Sequence, residues 1–377
     1  MTKHTQPAWI VAAALAAALL LTGCWSCRWD LESVDYTPNP NGDWPVSTPE
    51  AEGLDPDAVA RIYAEAAGLD TIYSLLIIKN GRLVAEDYFN GSGSWDACIL
   101  ASVTKSITGA LTGIALEQGY IEGLDQPMLD YFPELAGQVS DPRKFDITIR
   151  HLLQMRAGYP WEESDPTLFQ ILFHDGFHTT DLVRFPLIRE PGTDHDYSNL
   201  SSHLLGIIVS RATGRDLLDY ANEVLFHPIG AEAADWQMGW ENYRLGFANI
   251  ELTARDVARF GQLYMDGGLY EGEQIVPAQW VTDSLATYST DAWDYRIGRN
   301  VRDMGYGYQW WSLRSGVHVY NMAWGHGGQQ IMLVHDLNMI VVVTADPFIS
   351  RSDGDTWRHE RNNINLVADF IARLPAE

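Results

Sequence analysis

The chain has 377 residues, with 25 lysines and arginines against 50 aspartates and glutamates, and its formal net charge is −25 at pH 7. An acid excess of this size argues against nucleic acid as a partner and against electrostatic attachment to an anionic membrane surface. The length is sufficient for one large domain, and the three cysteines form no Cys/His cluster with the spacing of a structural zinc site.

The N-terminus has the pattern of a secretion signal. The first nine residues carry one lysine and no acidic residue, and an apolar run follows over 10–21. This run is shorter than the roughly 20 residues that a membrane-spanning helix needs, which favours a cleaved signal peptide over 1–23. Leu21-Thr22-Gly23-Cys24 resembles the lipobox of bacterial lipoproteins.

That resemblance implies lipid chains on Cys24 and a membrane-anchored location in the bacterial cell envelope, facing the periplasm or the exterior. The alternative is an ordinary secretory signal that ends near a cysteine by chance. With Cys24 lipidated, Cys27 and Cys98 remain and could pair in an oxidising compartment, but the sequence does not establish that they lie close together.

The first elements of the domain are a helix and a β-hairpin. A helix is predicted over 55–67, because Asp55 followed by proline is a helix-start signal and apolar residues recur after it with helical spacing. Two strands are predicted over 73–79 and 82–89. They flank Asn80-Gly81, which is the strongest short signal for a hairpin.

Helices dominate the middle of the chain, over about 103–300, and strands return near its end before a closing helix over 356–373. These late strands are predicted over 306–313, 318–324, 329–335 and 339–345. The sequence therefore predicts an α+β fold: one antiparallel sheet of about five strands from both chain ends, flanked by helices, with an inserted and mostly helical subdomain. The domain would span 51–375 and follow a linker over 24–50.

Ser102 and Lys105 lie three residues apart at the start of a predicted helix. At this spacing the hydroxyl and the amine can touch. A serine is a weak nucleophile until a neighbour takes its proton, and a lysine can do so only where burial or nearby positive charge lowers its pKa. The other interpretation is that Ser102 caps the helix and Lys105 is a solvated helix residue.

Two later motifs could complete a site. Tyr197-Ser198-Asn199 lies in a loop just before a predicted helix, where the side chains of Tyr197 and Asn199 can turn into one cleft. His326-Gly327-Gly328-Gln329 joins two predicted strands, and the glycines would let a substrate approach the strand edge closely. Taken alone, Tyr197 could pack on the core and His326 could be an ordinary turn histidine.

In this order, the three motifs resemble those of the serine β-lactamase and penicillin-binding protein superfamily. The resemblance is strongest to its class C β-lactamase-like serine hydrolases, which include D-alanyl-D-alanine carboxypeptidases, esterases and the 6-aminohexanoate-dimer hydrolase. It covers roughly residues 50–372, and flanking segments such as Glu190-Pro191-Gly192 and Pro228-Ile229-Gly230 agree with it. It implies a β-lactamase/transpeptidase-like fold and acyl-enzyme chemistry that needs no metal or organic cofactor.

Carried over residue by residue, the resemblance makes Ser102 the nucleophile and Lys105 the base that activates it. Lowering the pKa of Lys105 to about 7 would take roughly 3 units, which burial can supply. Tyr197 would relay the proton, as a phenol or phenolate whose pKa Lys105 lowers.

The resemblance also implies the residues that bind substrate. Asn199 would position the acyl side chain and Lys105. The backbone N–H groups of Ser102 and Gln329 would form the oxyanion hole, with Gly327 and Gly328 giving room beside His326.

The third motif departs from the family pattern. Members that act on penicillins or D-alanyl peptides have Lys-Thr-Gly or His-Thr-Gly where this chain has His326-Gly327-Gly328, and a histidine with a pKa near 6.5 is mostly neutral at pH 7. We therefore expect weak binding of a substrate carboxylate and hydrolysis of a small-molecule ester or amide with a small or hydrophobic acyl group. Trp310, Trp311 and Trp324 could line such a pocket, although each of them alone reads as core.

Two alternatives remain from the sequence. One is a β-lactamase or a D-alanyl-D-alanine carboxypeptidase. The other is a non-catalytic envelope lipoprotein that binds a ligand, which would be expected to have lost a member of the Ser102, Lys105 and Tyr197 set. The sequence leaves the oligomeric state open.

Overall fold

The computed structural model describes residues 31–40, 43–348 and 356–376. The predicted signal peptide, the proposed lipidation site Cys24 and Cys27 lie outside these residues, whereas Cys98 is buried within them. Across the described ranges, no helix combines the length and the apolar character that crossing a bilayer requires.

A seven-stranded antiparallel sheet forms the centre of the fold, and its strands come from both ends of the chain. The strands are β1 (Ile72–Lys79), β2 (Arg82–Tyr88), β3 (Arg302–Tyr306), β4 (Trp311–Ser315), β5 (His318–Gly325), β6 (Gln329–Val334) and β7 (Met339–Ala345). Their order across the sheet is β2-β1-β7-β6-β5-β4-β3. The first and last strands of the chain therefore pair, as the α+β prediction requires.

The predicted hairpin is confirmed, whereas the strand predicted over 306–313 is wrong. At the hairpin, Asn80 and Gly81 have φ values of 54° and 73°, the left-handed pair that its turn needs. The segment after Tyr306 instead reverses direction: Gln309 has a φ of 62°, and the N–H of Gly307 donates to the carbonyl of Trp310. Two short strands replace one, which is one reason that the sheet has seven strands rather than about five.

The helices lie close to their predicted positions. Helix α1 is capped by Asp55, whose carboxylate accepts a hydrogen bond from the N–H of Asp57 at 3.1 Å. The α-helices are α1 (Pro56–Ala66), α2 (Thr104–Glu117), α3 (Ile149–Leu153), α4 (Pro166–Phe169), α5 (Asn199–Thr213), α6 (Leu217–Ala221), α7 (Ala254–Met265), α8 (Ala278–Leu285) and α9 (Thr356–Arg373). Further short strands pair at Cys98–Ile99, Asp235–Trp236 and Ile250–Leu252, and at Leu269–Tyr270 and Glu273–Gln274.

The sheet separates two hydrophobic cores, because alternate residues of each strand face opposite sides. In β1, Leu75 and Ile77 join the core beneath α1 and α9, while Leu76 and Ile78 join the core of the helical region. The turn Ala101–Val103, which precedes α2, packs against β5 and β6. The motif residues of the helical region and of the late strands therefore meet at one edge of this interface.

Candidate active site

Ser102 lies on a tight turn whose backbone is held in a strained conformation. Ala101 has a φ of 45°, and its carbonyl accepts hydrogen bonds from the hydroxyl of Thr104 at 2.6 Å and from the N–H of Asn249 at 3.3 Å. A non-glycine residue in this region costs about 1–3 kcal/mol and persists only where its surroundings impose it. Ser102 is half-buried and makes no capping hydrogen bond to α2, so the N-cap interpretation is wrong.

Lys105 is buried against Ser102. Its Nζ donates to Ser102 Oγ at 2.8 Å and to the carbonyl of Phe247 at 2.9 Å, and it lies 5.0 Å from the ring centroid of Tyr197. Burial lowers the pKa of Lys105 to about 7, although the charges of Glu163 and Glu162 oppose the shift. A substantial fraction of the amine is therefore unprotonated near neutral pH and able to take a proton from the serine.

Tyr197 forms the third side of this arrangement, and its ring stacks on Trp311 with centroids 5.6 Å apart. Burial raises the pKa of Tyr197 above its ordinary range; a hydrogen bond with Ser102 opposes the shift, and nearby carboxylates, first among them Glu163, add to it. The expectation that Lys105 lowers the pKa of Tyr197 is therefore wrong. In the free site Tyr197 is a neutral phenol, which can donate a proton.

Asn199 lies at the start of α5, but its contact differs from the expected one. Its Nδ2 donates to Glu163 at 3.0 Å. Among the hydrogen bonds of the described residues, Phe247 and Ser102 rather than Asn199 hold the amine of Lys105. Asn199 does line the cavity in front of Ser102, and its expected contact with an acyl group stays a prediction.

Glu162 holds the tyrosine loop in place from behind. This buried carboxylate accepts hydrogen bonds from Ser198 Oγ at 2.8 Å and from the backbone N–H groups of Asn199 and Leu200 at 2.9 and 3.0 Å. Burial raises the pKa of Glu162 to about 7, although these hydrogen bonds oppose the shift. The carboxylate therefore stabilises the N-terminus of α5, directly after Tyr197.

His326 is paired with a buried acid from the closing helix. Its Nδ1 lies 2.8 Å from Glu360 Oε2, and the same carboxylate accepts from Trp324 Nε1 at 2.8 Å and from the N–H of Gly327 at 3.1 Å. Burial would lower the pKa of His326, but the hydrogen bond and charge of Glu360 outweigh it and raise the pKa above its ordinary value. The expectation of an unperturbed histidine is therefore wrong, because Glu360 raises the pKa of His326.

The two glycines of this motif are required by packing behind the site. Gly327 and Gly328 have φ values of 83° and 93°, and an added Cβ would lie 2.5 Å from the carbonyl oxygen of Asp346 or 2.6 Å from Cβ of Asn363. The glycines therefore have a structural role here, and their expected role of giving room for a substrate stays a prediction. Gln329 begins β6, and its side-chain amide bonds the backbone of Ala345.

Two cavities meet at Ser102. The first, which we call the apolar cavity, has a volume of about 570 Å³ and is bounded by Phe169, Leu172, Phe173, Met238 and Phe247, with Asn199 and Glu163 at its polar side. The second, which we call the tryptophan cavity, is lined by Trp161, Trp293, Trp311, Trp324 and Trp357, together with Tyr197, Glu163, His326 and Glu360. Within the described part of the chain, no cluster of His, Cys, Asp and Glu side chains is arranged to hold a metal ion.

The structure thus brings Ser102, Lys105 and Tyr197 together with Asn199 and His326, and it adds residues that the sequence reasoning missed. Glu162 and Glu163 carry no local signal that separates them from the other acidic residues. Glu360 does carry one, because it shares the apolar face of α9 with Ile364, Val367 and Ile371 at helical spacing. A carboxylate on such a face has to find partners, which points to a paired site.

Comparison with known proteins identifies the family of this chain. The β-lactamase family model matches residues 72–362. A 6-aminohexanoate-dimer hydrolase from Paenarthrobacter ureafaciens is 30% identical over 255 residues, which cover 63% of this chain and 63% of that protein. Esterase EstB from Burkholderia gladioli is 29% identical over 143 residues, or 35% of this chain and 36% of the esterase. The matched part of the chain therefore spans less than two thirds of the length of these relatives.

Solved structures show the same fold at low sequence identity. A penicillin-binding protein from Bacillus halodurans superposes with a TM-score of 0.61 at 16% identity, covering 83% of this chain and 100% of the other. The family model matches well over half of the chain, and the relatives are named as hydrolases and esterases. The chain therefore belongs to the β-lactamase family.

Proposed function

We propose that this protein hydrolyses an ester or amide of a small or hydrophobic acyl compound through an acyl-enzyme on Ser102. The observation that carries the proposal is the 2.8 Å contact between Ser102 Oγ and the amine of Lys105, a buried lysine with a pKa of about 7. A base with a pKa near the working pH combines a useful unprotonated fraction with enough basicity to accept the serine proton.

The proposed reaction has two halves. Lys105 takes the proton of Ser102 as Oγ attacks the substrate carbonyl, and the backbone N–H groups of Ser102 and Gln329 stabilise the oxyanion. Tyr197 gives its proton to the leaving group as the acyl bond to that group breaks, and Lys105 returns a proton to Tyr197. Water then attacks the acyl-enzyme, which releases the carboxylic acid and the free serine.

The acyl preference rests on the apolar cavity and on the paired state of His326. Apolar side chains, among them Phe169, Leu172 and Phe247, form the larger part of the lining of the cavity in front of Ser102, which suits an apolar acyl group. When His326 is protonated, Glu360 at 2.8 Å compensates its charge, so in either protonation state His326 offers little net attraction to a substrate carboxylate. Both features favour an ester or amide over a penicillin or D-alanyl peptide.

Labelling with a fluorophosphonate probe tests the nucleophile. Peptide mapping should find the adduct on Ser102, and the Ser102→Ala variant should lose both labelling and hydrolysis of p-nitrophenyl butyrate. Ser140, an exposed serine, provides the matched control, and Ser140→Ala should label and hydrolyse like the parent protein. Hydrolysis that survives Ser102→Ala would refute the proposal, and faster turnover of nitrocefin than of p-nitrophenyl butyrate would refute the substrate class.

We also propose that the protein is a bacterial envelope lipoprotein anchored through Cys24. The support is the apolar run over 10–21 followed by Leu21-Thr22-Gly23-Cys24. Cys24→Ser should move the protein from the membrane fraction to the soluble fraction. Membrane retention of that variant would contradict the anchor.

A further inference from the structure

The tryptophan cavity has a chemical character that the proposed reaction does not use. Trp293, Trp311 and Trp324 contact one another, with each pair of ring centroids 5.7 Å apart. Trp161 lies against Trp293 at 5.0 Å, and Trp357 lies 6.5 Å from Trp324 at the outer edge. Indole rings bind cations through their negative faces more strongly than any other side-chain ring does.

The charges around this cavity also favour a cation. Glu163 is exposed, and its Oε1 accepts a hydrogen bond from Asn199, but among the described residues no basic side chain forms a salt bridge with it. Glu360 pairs with His326, which balances its charge only when the imidazole is protonated. Of the other titratable groups, Lys105 and Glu162 are both buried with pKa values of about 7, so above pH 7 Lys105 is mostly neutral and Glu162 mostly charged. The site is therefore net negative at the pH where Lys105 can act as a base.

Tyr197 identifies which part of the substrate occupies this cavity. Tyr197 lines the tryptophan cavity and not the apolar cavity, whereas Asn199 lines the apolar cavity and not the tryptophan cavity. In the proposed reaction Tyr197 gives its proton to the leaving group. The leaving group therefore lies among the tryptophans, and the acyl group lies in the apolar cavity.

We propose that the substrate is an ester or amide of an apolar acid whose alcohol or amine part carries a positive charge, held between the tryptophan rings and the carboxylate of Glu163. This inference rests on the proposed function for the placement of the leaving group. The reaction consumes one water: the bond between the acyl carbon and the leaving-group oxygen or nitrogen breaks, and a carboxylic acid and a cationic alcohol or amine are released.

Binding to a protein that cannot turn over tests the cavity by itself. The Ser102→Ala variant would be titrated with choline and with 3,3-dimethylbutan-1-ol, its uncharged counterpart of nearly the same shape, and binding followed by calorimetry and tryptophan fluorescence. Choline should bind at least about ten-fold more tightly, because both the ring faces and the carboxylate select for charge. Equal affinity for the two compounds would overturn the inference.

Turnover provides the second test. The ratio of kcat/KM for butyrylcholine to that for 3,3-dimethylbutyl butyrate should exceed about ten-fold and should fall as salt is added. Glu163→Gln should reduce this ratio about five-fold or more, since glutamine keeps an acceptor for Asn199 but removes the charge. Glu232→Gln changes the net charge equally at an exposed position outside both cavities, and it should leave the ratio as it is.

The rim tryptophan separates ring recognition from general negative charge. Trp357 is 36% exposed, so Trp357→Leu should fold, and it should reduce the butyrylcholine preference about three-fold. The inference would be overturned if the ratio of the two kcat/KM values is near one in the parent protein, or if neither Glu163→Gln nor Trp357→Leu changes that ratio. If choline binds selectively to Ser102→Ala but the parent protein hydrolyses no ester and leaves Ser102 unlabelled, the cation site stands and the proposed function fails.

Discussion

Lys105 and Lys144 are both buried lysines with a lowered pKa, and they differ in the groups that their amines contact. Each is at most 2% exposed, and each donates hydrogen bonds to backbone carbonyls: Lys105 to Phe247, and Lys144 to Leu182 and Val183. Burial lowers the pKa of both, to about 7 for Lys105 and about 8 for Lys144. By pKa alone, either could serve as a general base.

The difference lies in the neighbours. The amine of Lys105 also contacts Ser102 Oγ, and Ser102 lines two cavities. Within the described chain, the hydrogen bonds of Lys144 go to carbonyl oxygens, which accept hydrogen bonds but cannot attack a substrate. A lowered lysine pKa is therefore insufficient evidence for catalysis. It becomes evidence when a hydroxyl lies within hydrogen-bond distance and a substrate can reach that hydroxyl.

The same substitution at both positions tests directly whether the two lysines differ in catalysis. Lys105→Met should lower kcat/KM for p-nitrophenyl butyrate by about 10³-fold or more, because no other group takes the serine proton. Lys144→Met should stay within about two-fold of the parent per folded molecule, since only carbonyl contacts are lost. Similar losses in the two variants, measured on protein shown by circular dichroism to be folded, would contradict the distinction.

A smaller loss is expected when the proton relay is removed and the lysine is kept. Tyr197→Phe should lower kcat about 10²-fold, within the usual range for a proton-transfer group, while the ring packing on Trp311 persists. An ester with a good leaving group such as p-nitrophenol should suffer less than an alkyl ester, because it needs less protonation. Equal losses on the two esters would show that Tyr197 does not protonate the leaving group.

The pH dependence of kcat/KM should also distinguish Lys105 from Lys144. Since only the neutral amine accepts a proton, kcat/KM should rise about ten-fold per pH unit below pH 7 and level off above it. Glu162 has a similar pKa, so Glu162→Gln serves as the control and should keep the rising limb even where activity falls. If the rising limb disappears in Glu162→Gln, or shifts along the pH axis in Lys144→Met, the limb does not report the titration of Lys105.

The smallest effect is on stability. Lys144→Met should lower the free energy of unfolding by about 1–3 kcal/mol near pH 9, because the carbonyls of Leu182 and Val183 lose their donor. The folded-state pKa of Lys144 lies below its ordinary value of 10.5, so the unfolded chain binds the proton more tightly between about pH 8 and 10.5. Its contribution to stability therefore rises with pH in that window. Urea titrations across it should show a shallower rise in Lys144→Met than in the parent protein.

The local parts of the fold followed from local chemistry. Asn80 and Gly81 adopt left-handed conformations at little cost, so the hairpin of β1 and β2 was readable from two residues. Asp55 followed by proline marked the start of α1 for a similar reason. The prediction for the segment after Tyr306 was wrong because its aromatic residues have strand propensity. The chain reverses there because of the packing of the turn around Gln309.

The site divides along the same line. Two features could be predicted from spacing along the chain alone: Ser102 and Lys105 lie within one turn, and the tyrosine-loop and glycine motifs follow in the family order. The pKa shifts depend on contacts made by folding: Phe247 and Tyr197 bury the amine of Lys105, and Glu360 from α9 raises the pKa of His326. Electrostatic effects depend on distance and burial, which no single segment contains.

The tryptophan cavity is the clearest product of the tertiary structure. Its rings come from positions 161, 293, 311, 324 and 357, and no two of them lie on the same helix or strand. Each reads alone as a core residue, because burial of a single ring looks the same in any packed interior. Spacing along the chain was enough to pair Ser102 with Lys105, because both lie in one short segment. The leaving group that we propose depends on distant rings and on Glu163, which only folding brings to Ser102.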